Sequence, residues 1–203
     1  MKKLILASSS PFRRELLSRL GLPFDWASPQ ADEAPHPDEH PQQLAMRLAQ
    51  TKAQSVAGDY PNALIIGSDQ VAVIGDEMIG KPGSYKKAVD ILSMASGQVM
   101  KFYTAVCVLN GTTGKTQLDV VPFSVRFRQL DNKAITNYVS REQPYNCAGA
   151  FKSEGLGIVL LESMHGDDPT ALIGLPLIRL TQMLEQEGIS ILQGDYQGQT
   201  VIE

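Results

Sequence analysis

The chain has 203 residues, 43% of them hydrophobic and 20% charged, which is enough apolar sequence for a sizeable core and excludes a disordered polymer. A net charge of -4 and a pI near 5.4 exclude a general binder of nucleic-acid backbones, so any phosphate site must be local. Cys107 and Cys147 stand apart in no CxxC spacing, which excludes a disulfide framework or a thiolate zinc site. The longest apolar runs fall short of a signal peptide or a membrane span, so the expectation is a cytoplasmic protein with no membrane partner.

In chain order, residues 3–7 read as a buried strand. Ser10 and Pro11 form a helix start, a serine cap followed by proline at the first helical position. Phe12, Leu16 and Leu20 recur every four residues until Gly21 and Pro23 stop the helix. A second strand is predicted over 23–27, then an exposed, proline-punctuated loop. A helix over 42–57 follows, with Leu44, Ala45, Leu48, Ala49, Ala53 and Val56 on one stripe and Lys52 set among them. Residues 63–75 read as a strand or strand pair, followed by a small turn and the segment MIGKP. The segment SYKKAVDILSMAS reads as an amphipathic helix closed by Gly97, and residues 99–130 as a long antiparallel hairpin with NGTTGKT at its tip. A helix at 131–140, a glycine-broken loop, a strand at 158–163, a turn containing His165 and a helix at 176–187 complete the pattern, with a loosely held tail over 193–203. No repeat or linker divides the chain. The reading is one α/β (α+β) domain over 1–203, a mixed sheet flanked by helices.

The chemistry gathers where strands meet helices. Three serines, a helix N-terminus and the adjacent Arg13 and Arg14 make an anion cradle. Asp69 lies in the apolar run LIIGSDQVAVI, where a carboxylate is costly to bury without a cation facing it. Lys52 and Lys81 are two such cations, and Glu33 is a loop carboxylate. His36 and His40 have metal-ligand spacing, but Pro37 and Pro41 break the helix that would align them. Neither G-x-G-x-x-G nor a P-loop motif is present.

LASSSPFRRELL, the DE at 32–33, RLAQTKA, IIGSDQ, GKP, CAGAFKSEGLG and DDPTALIGLPL together resemble the Maf family of nucleotide pyrophosphatases, in order from about Lys3 to Leu184. The resemblance implies a fold similar to that of inosine triphosphate pyrophosphatases. It also implies metal-dependent hydrolysis, with Mg2+ or Mn2+, of a nucleoside triphosphate to the monophosphate and pyrophosphate. By position, Asp69 would be the catalytic carboxylate and a metal ligand with Glu33; Ser8, Arg13 and Arg14 would hold phosphates, and Lys52 and Lys81 would neutralise them. Phe12, Gln70 and Glu154 resemble the branch that acts on 7-methyl-GTP, whose cationic base suits an aromatic face and a carboxylate. Phe12 also fits the core stripe of its helix. A nucleotide-binding regulator of septum formation, and a pyrophosphatase for ordinary or inosine nucleotides, are the alternatives; a homodimer is left open.

Overall fold

In the computed structural model, which describes residues 2–192, the apolar run LILA forms β1 (Leu4–Ala7) and the chain turns at once into α1 (Pro11–Ser18). Ser10 caps that helix by accepting a hydrogen bond from the Arg13 N–H. Then come β2 (Phe24–Ala27), an exposed loop, α2 (Pro41–Ala57), β3 (Leu64–Ile74), β4 (Glu77–Ile79) and α3 (Tyr85–Ala95). A hairpin of β5 (Val99–Asn110) and β6 (Thr116–Phe127) leads to α4 (Asn132–Glu142), β7 (Leu161–His165), α5 (Pro169–Ile173) and α6 (Leu177–Gln186). The tail expected over 193–203 lies outside the described residues.

Of the strand or strand pair expected over 63–75, the structure has one unbroken strand, Leu64–Ile74. Two other local expectations change. The strand expected at 158–163 begins instead at Leu161, because the backbone after Gly155 curls Leu156–Leu160 into a 3₁₀ turn whose Leu156 and Leu160 pack on the core beside α4. His165 consequently ends a strand opposite Ser124 instead of sitting in a turn, and the short α5 precedes the last helix.

The seven strands form one mixed sheet in the order β2-β1-β3-β5-β6-β7, with β4 paired to the far end of β3. β1 is parallel to both β2 and β3; every other pairing is antiparallel. Alternate residues serve opposite faces. Ile5, Ile65 and Val73 pack under α2, whereas Leu4, Leu6, Leu64 and Ile66 pack under α1 and α6. A third cluster sets α3 and α4 against Met100, Phe102, Val125 and Phe127 at the other end of the sheet. With both faces covered, the central strands read as nearly continuous apolar runs.

The sheet is interrupted beside the parallel pairing of β1 with β3. β1 ends at Ala7, opposite Gly67, and β4 begins its pairing only at Ala72. Among the described residues the edge of β3 over 68–71 therefore has no strand on that side, just beyond the carboxyl end of a parallel strand, where open α/β sheets bind ligands. Asp69 and Gln70 sit in that gap.

Gly67 sets how closely α2 approaches the gap, since a Cβ there would lie 2.1 Å from the Ala49 carbonyl oxygen and 3.0 Å from the Ala53 nitrogen. Both contacts are helix backbone, which cannot yield locally. Gly67→Ala is expected to lower stability by about 3 kcal/mol, the upper part of the range for overpacked cores, read as a fall in the urea midpoint.

Candidate functional site

Asp69 projects from β3 on the face covered by α2 and is 8% exposed. Lys52 meets it from the apolar stripe of α2, 7% exposed, and is held there rather than reaching solvent. Its Nζ lies 2.5 Å from Asp69 Oδ1 and 2.6 Å from Glu33 Oε1, so one ammonium joins a buried strand carboxylate to a loop carboxylate. The aspartate costly to bury and the lysine out of place on its helix thus resolve each other. Asp69 Oδ2 and Glu33 Oε2 have no hydrogen-bond partner among the described residues. Two carboxylates joined through one ammonium, each with a second oxygen left over, are the kind of oxygen donors a hard divalent cation takes while keeping several of its waters.

Glu33 is brought there by an anchor that the sequence pattern did not reveal. Arg47, also on α2, forks onto Glu39 at 2.7 and 2.8 Å and donates to the Ala34 carbonyl at 2.9 Å. This fixes the loop just after Glu33. The hydrogen-bonded Lys52 ammonium, against the opposing effect of burial and with Lys81 and Arg13 farther off, holds the Glu33 carboxyl below its ordinary 4.5. A lowered carboxylate stabilises the fold fully above its unfolded value, and that contribution is lost as pH falls through the lowered one. The difference in thermal midpoint between the parent and Glu33→Gln is therefore expected to be largest near neutral pH and to shrink as pH falls below 4.5.

The cleft over the sheet gap has two joined ends. Its polar end, about 420 Å³, is walled by the three serines, Arg13, Lys81 and Lys152. Ser8 is buried and its hydroxyl accepts from the Ser10 N–H, leaving the hydroxyl hydrogen without an acceptor among the described residues. The N–H groups of Ser9 and Phe12 likewise meet no acceptor there, so the end of α1 offers donors to an anion. Arg13, in the wall of both ends of the cleft, donates from Nε to the Gly174 carbonyl at 2.7 Å. Burial pulls its pKa down, while Asp69 and Glu33 pull it back up.

Arg14 differs from the expectation that it holds phosphate. Neighbours on a helix point about 100° apart, and Arg14 lies over the exposed ring of Trp26, 4.2 Å from its centroid, outside the cleft wall.

The other end, about 480 Å³, mixes apolar and polar walls: Phe12, Phe102, Phe151, Gln70 and Glu154. Phe12 is absent from the core clusters that take Leu16 and Leu20, so of its two readings the structure favours the cleft. Gln70 donates from Nε2 to the carbonyls of Ala171 and Leu172 at 2.9 and 3.0 Å and to Thr104 Oγ1 at 3.0 Å. Two obligate carbonyl acceptors identify that atom as nitrogen, and leave Oε1 as an acceptor with no partner among the described residues. Glu154 is exposed on the rim.

Glu142, Lys152, Asn146 and Cys147 also line the cleft and were not anticipated. Burial pushes the Cys147 thiol up to about 11, so it stays protonated near neutrality. His40 stands at the N-cap of α2, where its backbone N–H donates to Gln43 Oε1 at 3.1 Å, and no cluster of three or more His, Cys, Asp or Glu side chains suited to a metal occurs among the described residues.

A profile of the family described as Maf-like protein matches residues 3–187. A 7-methyl-GTP pyrophosphatase of Nitrosococcus oceani is 56% identical over 189 residues, covering 93% of this chain and 95% of the relative. Proteins of that name from Methylobacillus flagellatus and Colwellia psychrerythraea are 53% and 54% identical over 192 residues, 95% of this chain and 100% and 96% of theirs. Among solved structures, the Staphylococcus aureus Ham1 protein aligns with a TM-score of 0.54 over 92% of this chain and 100% of that one. At 12% identity this is a likeness of fold, and it agrees with the mixed α/β architecture expected from the sequence. With the family profile spanning nearly the whole described chain, this protein belongs to the Maf family.

Proposed function

We propose that this protein hydrolyses 7-methyl-GTP, or a similarly modified nucleotide, to the nucleoside monophosphate and pyrophosphate in the cytoplasm, using Mg2+ or Mn2+. The observation that carries this reading is a single cleft. It joins an aromatic and acidic end to a cationic, donor-rich end, with the Asp69, Lys52 and Glu33 cluster at the junction. The names of the relatives support the same reaction, and no described helix is long and apolar enough to cross a membrane.

A guanine methylated at N7 carries positive charge. Phe12 would attract it through its ring face, Glu154 would accept charge-assisted hydrogen bonds from the base edge, and the free Gln70 Oε1 would take a further one. The triphosphate would then run across the junction, with its distal phosphates among Ser8, the start of α1, Arg13 and Lys81. Asp69 would accept the proton of the water that attacks the α-phosphorus, and Arg13 and Lys81 would hold the departing pyrophosphate.

Charge balance supports the metal. Arg13, Lys52, Lys81 and Lys152 face Glu33, Asp69, Glu142 and Glu154 around the cleft, so the side chains alone are neutral. A triphosphate carrying several negative charges needs cations from solution; Asp69 and Glu33 would hold a divalent metal, which would supply that neutralisation.

Product analysis with purified protein tests the reading. The expected products are 7-methyl-GMP and pyrophosphate, not a diphosphate and phosphate. The expected kcat/KM for 7-methyl-GTP exceeds that for GTP by about 30-fold, the ratio equivalent to about 2 kcal/mol of desolvated cation-π attraction. Equal values for the two nucleotides would contradict the base assignment.

A further inference from the structure

We propose that Glu142 is a positioning residue for substrate discrimination: from the end of α4 it fixes the loop from Lys152 to Leu156 and so sets Glu154 against the base end of the cleft. The inference deepens the proposed function and rests on it.

The geometry is specific. The Glu142 side chain is 13% exposed, and its two oxygens have different tasks. Oε1 accepts from Lys152 Nζ at 2.9 Å, and Oε2 accepts from the Leu156 N–H at 2.6 Å. One turn earlier on the same helix, the Tyr138 hydroxyl accepts from the Lys152 N–H at 3.1 Å. Both ends of the loop are therefore bonded to α4. The middle lies directly on the carboxylate, for a Cβ at Gly155 would stand 2.8 Å from both Glu142 oxygens.

Glu154 sits between these fixed points. Among the described residues its own side chain has a single bond, from Ser153 Oγ at 3.2 Å, so the loop backbone decides where its carboxylate stands. The same loop sends Lys152 to the polar end of the cleft. One carboxylate thus holds a residue at each end of the substrate site without lining the base end itself.

Steady-state kinetics with 7-methyl-GTP and GTP, on the parent, Glu142→Ala, Glu142→Gln and Gly155→Ala, test this. Glu142→Ala is expected to raise KM for 7-methyl-GTP about tenfold and to cut the kcat/KM preference over GTP by a similar factor, with kcat changed much less. Glu142→Gln, whose amide oxygen still accepts from the Leu156 N–H, should recover most of the preference. Gly155→Ala should lose it with α4 untouched. Hydrogen exchange over 152–157 should quicken in Glu142→Ala while α4 stays protected. Parent-like preference in both Glu142→Ala and Gly155→Ala, or unchanged exchange in the loop, overturns the proposal. A parent with no preference for 7-methyl-GTP would instead remove the functional reading on which it rests.

Discussion

Asp69→Asn is expected to lower kcat for the preferred nucleotide by about 10³-fold, within the range for removing a positioned general base, while leaving the fold in place. The substitution is nearly isosteric. Its amide oxygen can still accept from Lys52, which also keeps Glu33 as a partner, so no buried charge is orphaned. What disappears is a basic oxygen at the junction of the two ends of the cleft and one of the two carboxylates suited to a metal. Circular dichroism and the thermal midpoint should stay close to the parent's while pyrophosphate release collapses. Equal rates for variant and parent would remove Asp69 from the chemistry.

Lys52→Met should act differently, on stability as well as on rate. It leaves Asp69 buried without its cation, and breaking a buried pair by removing one partner costs roughly 3–5 kcal/mol. Methionine fills the stripe of α2 between Leu48 and Val56 but cannot donate. The expected result is a urea midpoint lower by an amount equivalent to about 3 kcal/mol, with little measurable turnover. Adding Asp69→Asn should recover much of the stability, because the uncompensated charge goes, and none of the activity. A double-mutant cycle reads that coupling. Additive losses would mean that the two side chains do not support each other in solution.

Much of this site was legible in the sequence because charge stood where pattern called for apolar residues. Asp69 interrupts a strand and Lys52 interrupts a helical stripe; each anomaly implied a partner, and the structure shows that each is the other's. Glu33 could be named only by resemblance, since its place depends on Arg47 clamping a loop that has no periodicity of its own. Glu142 and Lys152 left no local signal at all, because their meeting depends on a loop returning to the helix it has just left. Arg13 and Arg14 looked equivalent side by side, and only helix rotation separates the one in the cleft from the one on Trp26.

The fold was readable for a similar reason. Long strands and amphipathic helices announce themselves by period, whereas LGIVL, an apolar run of five residues, fits a buried strand and a buried turn equally well. The glycines on either side of Leu156 favour the turn: a Cβ at Gly157 would lie 2.3 Å from the Lys152 carbonyl oxygen, a closeness only a curled chain uses. The five residues of α5 were too few to show a helical stripe.

The proposed chemistry requires one nucleotide to span both ends of the cleft with its α-phosphate beside Asp69. A crystal structure of the slow Asp69→Asn variant soaked with 7-methyl-GTP and Mg2+ measures this directly. The methylated base is expected between Phe12 and Glu154, the α-phosphate next to residue 69, and the distal phosphates among Ser8, Arg13 and Lys81. A nucleotide bound with its base at the serine end, or outside the cleft altogether, would contradict the proposed function.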